Sequence, residues 1–316
     1  MKTPLPPVGN TPLIKVDGIY AKLECVNPTG SVKDRIAKYI LEESERNGLL
    51  HKGKTIVEAT SGNTGIALAY YGRELGHPVT IVMPRNMSEE RKRIICDLGA
   101  ELILCSEEGS FAEAAKIRDL MAMEKRYFNP DQFSNPLNVE CHYRTTGQEI
   151  LQQIKRDQID SIDAFVAGVG TGGTLMGVGK ALKEVYSNIY IAAVEPSESS
   201  VMSGGSPGLH QIQGIGDGFI PKIVQGPRGG LNQLIDEVIC ISSAEAKEAA
   251  NYIRQEYGFC VGASSGANFL AARQLEKRFR TIVTIFPDGY GKYQSLGLKH
   301  CQLGRCPYES GRVEVV

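Results

Sequence analysis

The sequence carries no excess of charge of either sign: 35 Lys and Arg stand against 36 Asp and Glu, a formal net charge of -1. That balance removes the electrostatic case for a nucleic-acid or anionic-membrane partner. No apolar run approaches the roughly 20 residues that a membrane-spanning helix needs. The start, Met1-Lys2-Thr3-Pro4-Leu5-Pro6-Pro7, is too polar and proline-broken for a secretory signal. A framework of paired cysteines is also missing. The eight cysteines are scattered, and Cys105 and Cys240 sit inside apolar runs, as buried thiols do. Only Cys301 and Cys306 are close enough in sequence to pair or to share a metal, and no second ligand pair follows them, so no metal site is expected. There is no internal repeat, heptad array or low-complexity tract. These absences describe a cytoplasmic protein that works on small molecules.

What is present is an alternation of short β-rich runs with amphipathic helical stretches, the pattern of parallel sheets covered by helices. Strands are predicted at 55–59, 79–83, 101–105, 164–169, 189–194 and 281–286. Helices are predicted at 64–75, 88–98, 111–125, 145–156, 174–184, 242–257 and 264–278. At 316 residues the chain is long enough for two α/β domains, divided after the Asn- and Pro-rich loop 127–138. The segment 195–230 is rich in Gly and Pro. Loops of that length are functional or disordered, and Ile212, Ile215, Phe219 and Ile220 argue against disorder.

Three glycine-containing turns precede predicted helices, and two of them follow strands, where open α/β sheets bind ligands. Thr60-Ser61-Gly62-Asn63-Thr64-Gly65 combines hydroxyls, an amide and helix N-terminal N–H groups, which suits a carboxylate or serves as a capped turn. Gly168-Val169-Gly170-Thr171-Gly172-Gly173-Thr174 suits a phosphate monoester. It also fits the spacing of a dinucleotide fingerprint, with Glu195 as the acidic residue, but lacks the Gly-Lys-Ser/Thr ending of a Walker loop. Gly262-Ala263-Ser264-Ser265-Gly266 has the spacing of a nucleophile elbow. Of the five histidines only His300 lies downstream, so Ser264 reads better as a cap or ligand-facing hydroxyl. A fourth stretch, Asn27-Pro28-Thr29-Gly30-Ser31-Val32-Lys33-Asp34-Arg35, sets Lys33 at a helix start with Ser31 as N-cap. The helix dipole there disfavours the protonated amine, which makes Lys33 a candidate Schiff-base lysine.

A reactive lysine, a carboxylate-binding turn and a phosphate cradle together point to pyridoxal 5'-phosphate acting on an amino acid. On these stretches, together with Gly9-Asn10-Thr11-Pro12-Leu13, Gln132-Phe133-Ser134-Asn135-Pro136, Gln213-Gly214-Ile215-Gly216 and Ser264-Ser265-Gly266, the chain resembles the cysteine synthase/cystathionine β-synthase family of fold-type II pyridoxal-phosphate enzymes. The motifs occur in family order across most of the chain and demote the dinucleotide and hydrolase readings. The resemblance implies two three-layer αβα domains with largely parallel sheets and the cofactor in the cleft between them. The smaller would span 1–137, with 9–30 packing on the other domain and 78–125 mobile. The larger, 138–316, would hold the cofactor phosphate.

The resemblance also implies roles. Lys33 would bind the cofactor covalently and move the substrate α-proton. Asn63 would meet the cofactor ring oxygen, Gly170, Thr171, Gly172, Gly173 and Thr174 its phosphate, and Ser264 its pyridine nitrogen. Thr60, Ser61, Thr64 and Gln132 would bind the substrate carboxylate. A neutral hydroxyl at the pyridine nitrogen leaves a weaker electron sink, which favours prompt β-elimination to an aminoacrylate over transamination. The implied function is β-replacement on a three-carbon amino acid, such as O-acetylserine plus sulfide giving cysteine, by a homodimer. Nothing in the chain supports a complex with a serine acetyltransferase.

Two stretches depart from the family pattern. Asp217, in Gly216-Asp217-Gly218, stands where a small apolar residue is usual. A carboxylate there is a candidate general base for water and would repel hydrosulfide, which opens a sulfide-releasing cysteine hydroxyl-lyase that forms serine. The second, Pro287-Asp288-Gly289-Tyr290-Gly291-Lys292-Tyr293, has no function that the sequence discloses. The run 140–146 is nearer to cystathionine β-synthases, although no haem segment before residue 9 and no regulatory domain after 316 are expected. Serine or threonine dehydration on the same fold and a non-catalytic binding protein are the readings from other classes.

Overall fold

The structure, a computed structural model, describes residues 6–60, 62–106, 111–227 and 229–293. Its two sheets are built from runs of β-branched and aliphatic residues that are buried on both faces, the signature of parallel strands. In the four-stranded sheet β4 (Val79–Pro84) is buried along its entire length. It lies between β3 (Thr55–Ala59) and β5 (Glu101–Cys105), with β6 (Tyr127–Phe128) beyond β3, all parallel.

The six-stranded sheet takes its strands from both ends of the chain, in the order β1 (Leu13–Val16), β2 (Ile19–Leu23), β10 (Ile282–Phe286), β7 (Ala164–Gly168), β8 (Tyr190–Pro196), β9 (Glu237–Ile241). Only β1 and β2 run antiparallel, as a two-residue hairpin over Asp17 and Gly18 at φ +45 and +86. An Asp-Gly pair between apolar runs is a strong hairpin signal, and the strand assignment from sequence passed over it and over β9.

The helices differ from expectation mainly at their ends. α1 (Lys33–Arg46) begins at Lys33, with Val32 rather than Ser31 as the capping residue. Ser31 instead accepts from the Lys33 N–H through Oγ at 3.3 Å. The Asp34 carboxylate reaches back to the N–H groups of Thr29 (2.9 Å) and Ser31 (3.2 Å) and to the Thr29 hydroxyl (2.8 Å). An acidic side chain thus satisfies the turn before the helix and complements its dipole. α2 (Asn63–Leu75), α3 (Glu89–Asp97) and α4 (Phe111–Ala122) follow the first sheet. The stretch read as loop to residue 138 already holds α5 (Pro136–His142), capped by Asn135. A π turn at Tyr143–Gly147 separates it from α6 (Gln148–Arg156). α7 (Gly173–Val185), α8 (Ser243–Tyr257) and α9 (Ala263–Leu275) complete the set, α8 opening on a full Ser242/Glu245 capping box. None of the described helices is long and apolar enough to cross a membrane.

A buried ionic network ties α1 to the six-stranded sheet. Arg35 donates to both oxygens of Glu24 (2.6 and 2.8 Å) and to both of Glu149 on α6 (2.6 and 2.8 Å), and Lys22 on β2 reaches Glu149 at 2.8 Å. Such bidentate pairs fix geometry as well as charge. Burial pushes the Glu149 carboxyl up, but Arg35 and Lys22 more than reverse this and bring it from 4.5 to about 2. A carboxyl lowered on folding stabilises fully above its unfolded value, and that contribution is lost as pH falls through the folded one. The melting temperature is therefore expected to fall between about pH 4.5 and 2, and Glu149→Gln to be less stable near neutrality with a flatter acid limb. Equal slopes for the two proteins in thermal melts across that range would contradict this.

Candidate active site

The C-terminal ends of β3, β7 and β10 face one cavity, which the starts of α1, α2, α7 and α9 also reach. Lys33, Thr60, Asn63, Thr64, Gln132, Gly170, Thr171, Gly172, Thr174, Asp217 and Ser264 all line it, so most of the candidate residues meet. Ser61 lies outside the described residues, as do Cys301 and Cys306.

Lys33 opens α1 two residues before Arg35, whose ion pairs anchor that helix. Burial lowers its amine from the ordinary 10.5, the charges of Asp217 and Asp288 pull it part of the way back, and Arg91 adds to the depression. Desolvation, more than the helix dipole, is thus what perturbs this lysine. Burial raises the Asp217 carboxyl from 3.8, against the pull of His210 and Lys33. The loop carrying Asp217 is pinned by Phe219, whose ring stacks on Phe111 (5.9 Å between centroids) and meets Phe133 at 5.1 Å.

At the first glycine turn Gly62 has φ +146, a conformation that side chains rarely adopt. A Cβ there would lie 2.2 Å from Cδ of Arg91. Thr64 donates its hydroxyl to Gln132 Oε1 (2.7 Å), while Gln132 Nε2 donates to the Ala59 carbonyl (3.1 Å). The Asn63 amide is held at both ends: Nδ2 donates to Asp288 (2.7 Å) and Oδ1 accepts from Lys292 (2.9 Å).

At the second turn the N–H groups of Thr174 and Leu175 belong to the first turn of α7 and have no intrahelical acceptor. Asn138 Nδ2 donates to Thr171 Oγ1 at 3.0 Å, and His142 Nε2 lies 3.2 Å from Thr174 Oγ1. Burial, helped by Arg35 and Lys33, lowers His142 well below 6.5, so it is the neutral imidazole that contacts Thr174. Gly170 serves packing: a Cβ there would stand 2.2 Å from the Gly214 carbonyl oxygen. Gly170→Ala is expected to cost about 1–3 kcal/mol in a urea melt, because backbone must yield. A loss below about 0.5 kcal/mol would show that the two loops separate freely.

The family described as pyridoxal-phosphate dependent enzyme matches residues 4–288. The chain belongs to that family. A cysteine synthase of Staphylococcus aureus (strain Mu50) is 44% identical over 303 residues, covering 92% of this chain and 94% of that one. A hydrogen sulfide-producing enzyme of Fusobacterium nucleatum, solved as an aspartate-to-asparagine mutant complexed with an α-aminoacrylate intermediate, is 41% identical with a TM-score of 0.85, over 96% of this chain and 93% of that one. An O-acetylserine dependent cystathionine β-synthase of Helicobacter pylori is 35% identical with a TM-score of 0.85, over 93% and 97%. The mixed α/β architecture with parallel sheets is that of these fold-type II enzymes.

As a member of this family the chain depends on pyridoxal phosphate, and the cavity has the donor set for it. One half-buried amine, one helix N-terminus with two threonine hydroxyls, one clamped amide and the buried Ser264 hydroxyl surround a single space. Sequence reasoning missed three residues of this site. Arg91 fell inside the predicted helix 88–98 and was given no role, yet it is buried. It donates to Gln213, lies over the Tyr293 ring at 4.7 Å and reaches within 4.0 Å of Asp288. Asp288 and Lys292 were given no function, yet both are buried behind Asn63. Their signal was the departure of 287–293 from the family run. Burial lowers Lys292 from 10.5 to about 8, against Asp288 and Asp34, which favour its charge.

Proposed function

We propose that the chain catalyses β-elimination and β-replacement on a three-carbon amino acid, as a cysteine synthase-type enzyme. The observation that carries this reading is the shared cavity of a desolvated lysine, Lys33, and an α7 N-terminus suited to a phosphate. Bound pyridoxal phosphate would supply the electron sink for labilising the substrate's α-hydrogen. Lys33 would hold it covalently and then take and return that proton at Nζ, for which an amine with lowered proton affinity is suited. Gly170, Thr171, Gly172, Gly173 and Thr174 would hold the phosphate, Asn63 the ring oxygen and Ser264 the pyridine nitrogen. Thr60, Ser61, Thr64 and Gln132 would fix the substrate carboxylate, and closure of the α3–α4 region would exclude water.

Asp217 favours a second outcome on the same site. Its carboxyl lines the same cavity as Lys33, where it would take a proton from water attacking the reacting carbon. With cysteine as substrate, that path would release sulfide and form serine. A panel on the purified enzyme separates these readings: O-acetylserine with sulfide, cysteine alone, and serine with homocysteine, with sulfide, serine, cystathionine and keto acid all quantified. Cysteine formation from the first mixture is expected, together with sulfide and serine from cysteine alone. Keto acid and ammonia as the main products would replace the proposal with a dehydratase. The homodimer and the cytoplasmic location belong to the same proposal, and sedimentation would test the first.

A further inference from the structure

The turn after β10 places two oppositely charged side chains on the two ends of one amide. Asn63 Nδ2 donates to Asp288 Oδ2 at 2.7 Å, and Lys292 Nζ donates to Asn63 Oδ1 at 2.9 Å. Asp288 is 1% exposed and Lys292 8%, so neither contact is loosened by solvent. Each partner is itself held. Tyr293 donates its hydroxyl to Asp288 Oδ2 at 2.5 Å, and Lys292 reaches the Gly30 carbonyl at 3.4 Å.

A carboxamide alone has two flips that exchange its donor and acceptor ends. Here the other flip would set N–H groups against the Lys292 ammonium and a carbonyl against the Asp288 carboxylate. Both contacts would be repulsive, in a place where water cannot relieve them. One sense of the amide therefore survives. Of its two N–H bonds, Asp288 takes one, which leaves the other for the cavity that Asn63 lines. The cation behind the carbonyl also polarises the amide and strengthens that N–H as a donor. Pyridoxal phosphate has a ring oxygen beside its aldehyde carbon that is a pure acceptor when ionised, and a donor of fixed sense suits it.

We propose that Asp288 and Lys292 are positioning residues for pyridoxal phosphate: acting through Asn63, they hold one amide N–H toward the cofactor's ring oxygen and bias that oxygen to its ionised form. This rests on the cavity being the pyridoxal-phosphate site, and it gives the divergent 287–293 run a role in the chemistry.

The test compares wild-type, Lys292→Met, Lys292→Arg and Asp288→Asn holoenzymes by the visible absorption of the bound cofactor, its dissociation constant in equilibrium dialysis, and kcat and KM. Lys292→Met and Asp288→Asn are expected to shift the absorption maximum and to weaken cofactor binding by at least about tenfold. Lys292→Arg, which keeps a cation, should stay within about threefold of wild type. KM for the amino acid should move less than kcat. Wild-type spectra and dissociation constants in the folded Met and Asn variants would overturn the inference, even with lowered melting temperatures. Should Lys292→Met not fold, the isosteric Asp288→Asn decides alone by the same criterion. The underlying site is checked separately by borohydride reduction of the wild-type holoenzyme. A label on Lys33 with unchanged variants sinks this inference only, whereas a label on another lysine sinks the site assignment as well.

Discussion

Lys33→Ala is expected to lower turnover of every substrate by at least about 10³–10⁴-fold, the scale of losing a positioned acid–base group. The real loss should be larger, because the same amine is proposed to hold the cofactor. Its environment is what makes it suitable. Burial lowers the amine's proton affinity from 10.5, and Asp217 and Asp288 only partly restore it, so Lys33 gives up a proton more readily than an exposed lysine does. The variant should fold. Lys33 makes no ion pair among the described contacts, while α1 is anchored two residues later through Arg35 to Glu24 and Glu149. A melting temperature within about 4 °C of wild type is expected, together with a changed visible absorption of the bound cofactor. A folded Lys33→Ala protein that turns over at more than about a tenth of the wild-type rate would remove Lys33 from the chemistry.

Asp217→Asn is expected to separate the two reactions. Release of sulfide from cysteine with formation of serine should fall by about 10²–10³-fold, because asparagine keeps the shape of the carboxylate without accepting a proton. Cysteine formation from O-acetylserine and sulfide should remain within about fivefold or improve, since that path needs no base for water and loses a charge that repels hydrosulfide. The pH profile supplies a second reading. Burial raises the Asp217 carboxyl above 3.8, and a base must be ionised to work. The acid limb of the sulfide-releasing reaction should therefore lie above the ordinary carboxylate range and vanish in the variant. Equal losses in both reactions would mark Asp217 as a packing residue of the Phe219 loop.

Local signals account for what was legible. Strands β3, β5 and β7 and helices α2 and α7 were predicted to within a residue or two, because a glycine lies at or within three residues of at least one end of each. Misses have two causes. The β1–β2 hairpin announced itself through Asp17-Gly18, but its partner strand β10 lies over 250 residues away, and a two-stranded hairpin alone is only marginally stable. The Arg91 miss has the opposite origin. A Glu-Glu-Arg-Lys-Arg run carries no local sign of a buried arginine, and it is the approach of Gln213, Asp288 and Tyr293 that engages Arg91 on α3.

The sequence by itself determined the family, the dependence on pyridoxal phosphate and the α/β alternation, because each rests on residues close together in the chain whose order can be read directly. Tertiary structure decided what those motifs face. It set Asp217 in the cavity of Lys33, closed the Gly170 turn against the Gly214 carbonyl, and placed Asp288 and Lys292 on the two ends of the Asn63 amide. Charge sign, burial and amide orientation in that cavity arise from segments as much as 262 residues apart. Desolvation acts through space rather than along the chain, and so do the electrostatics of this site.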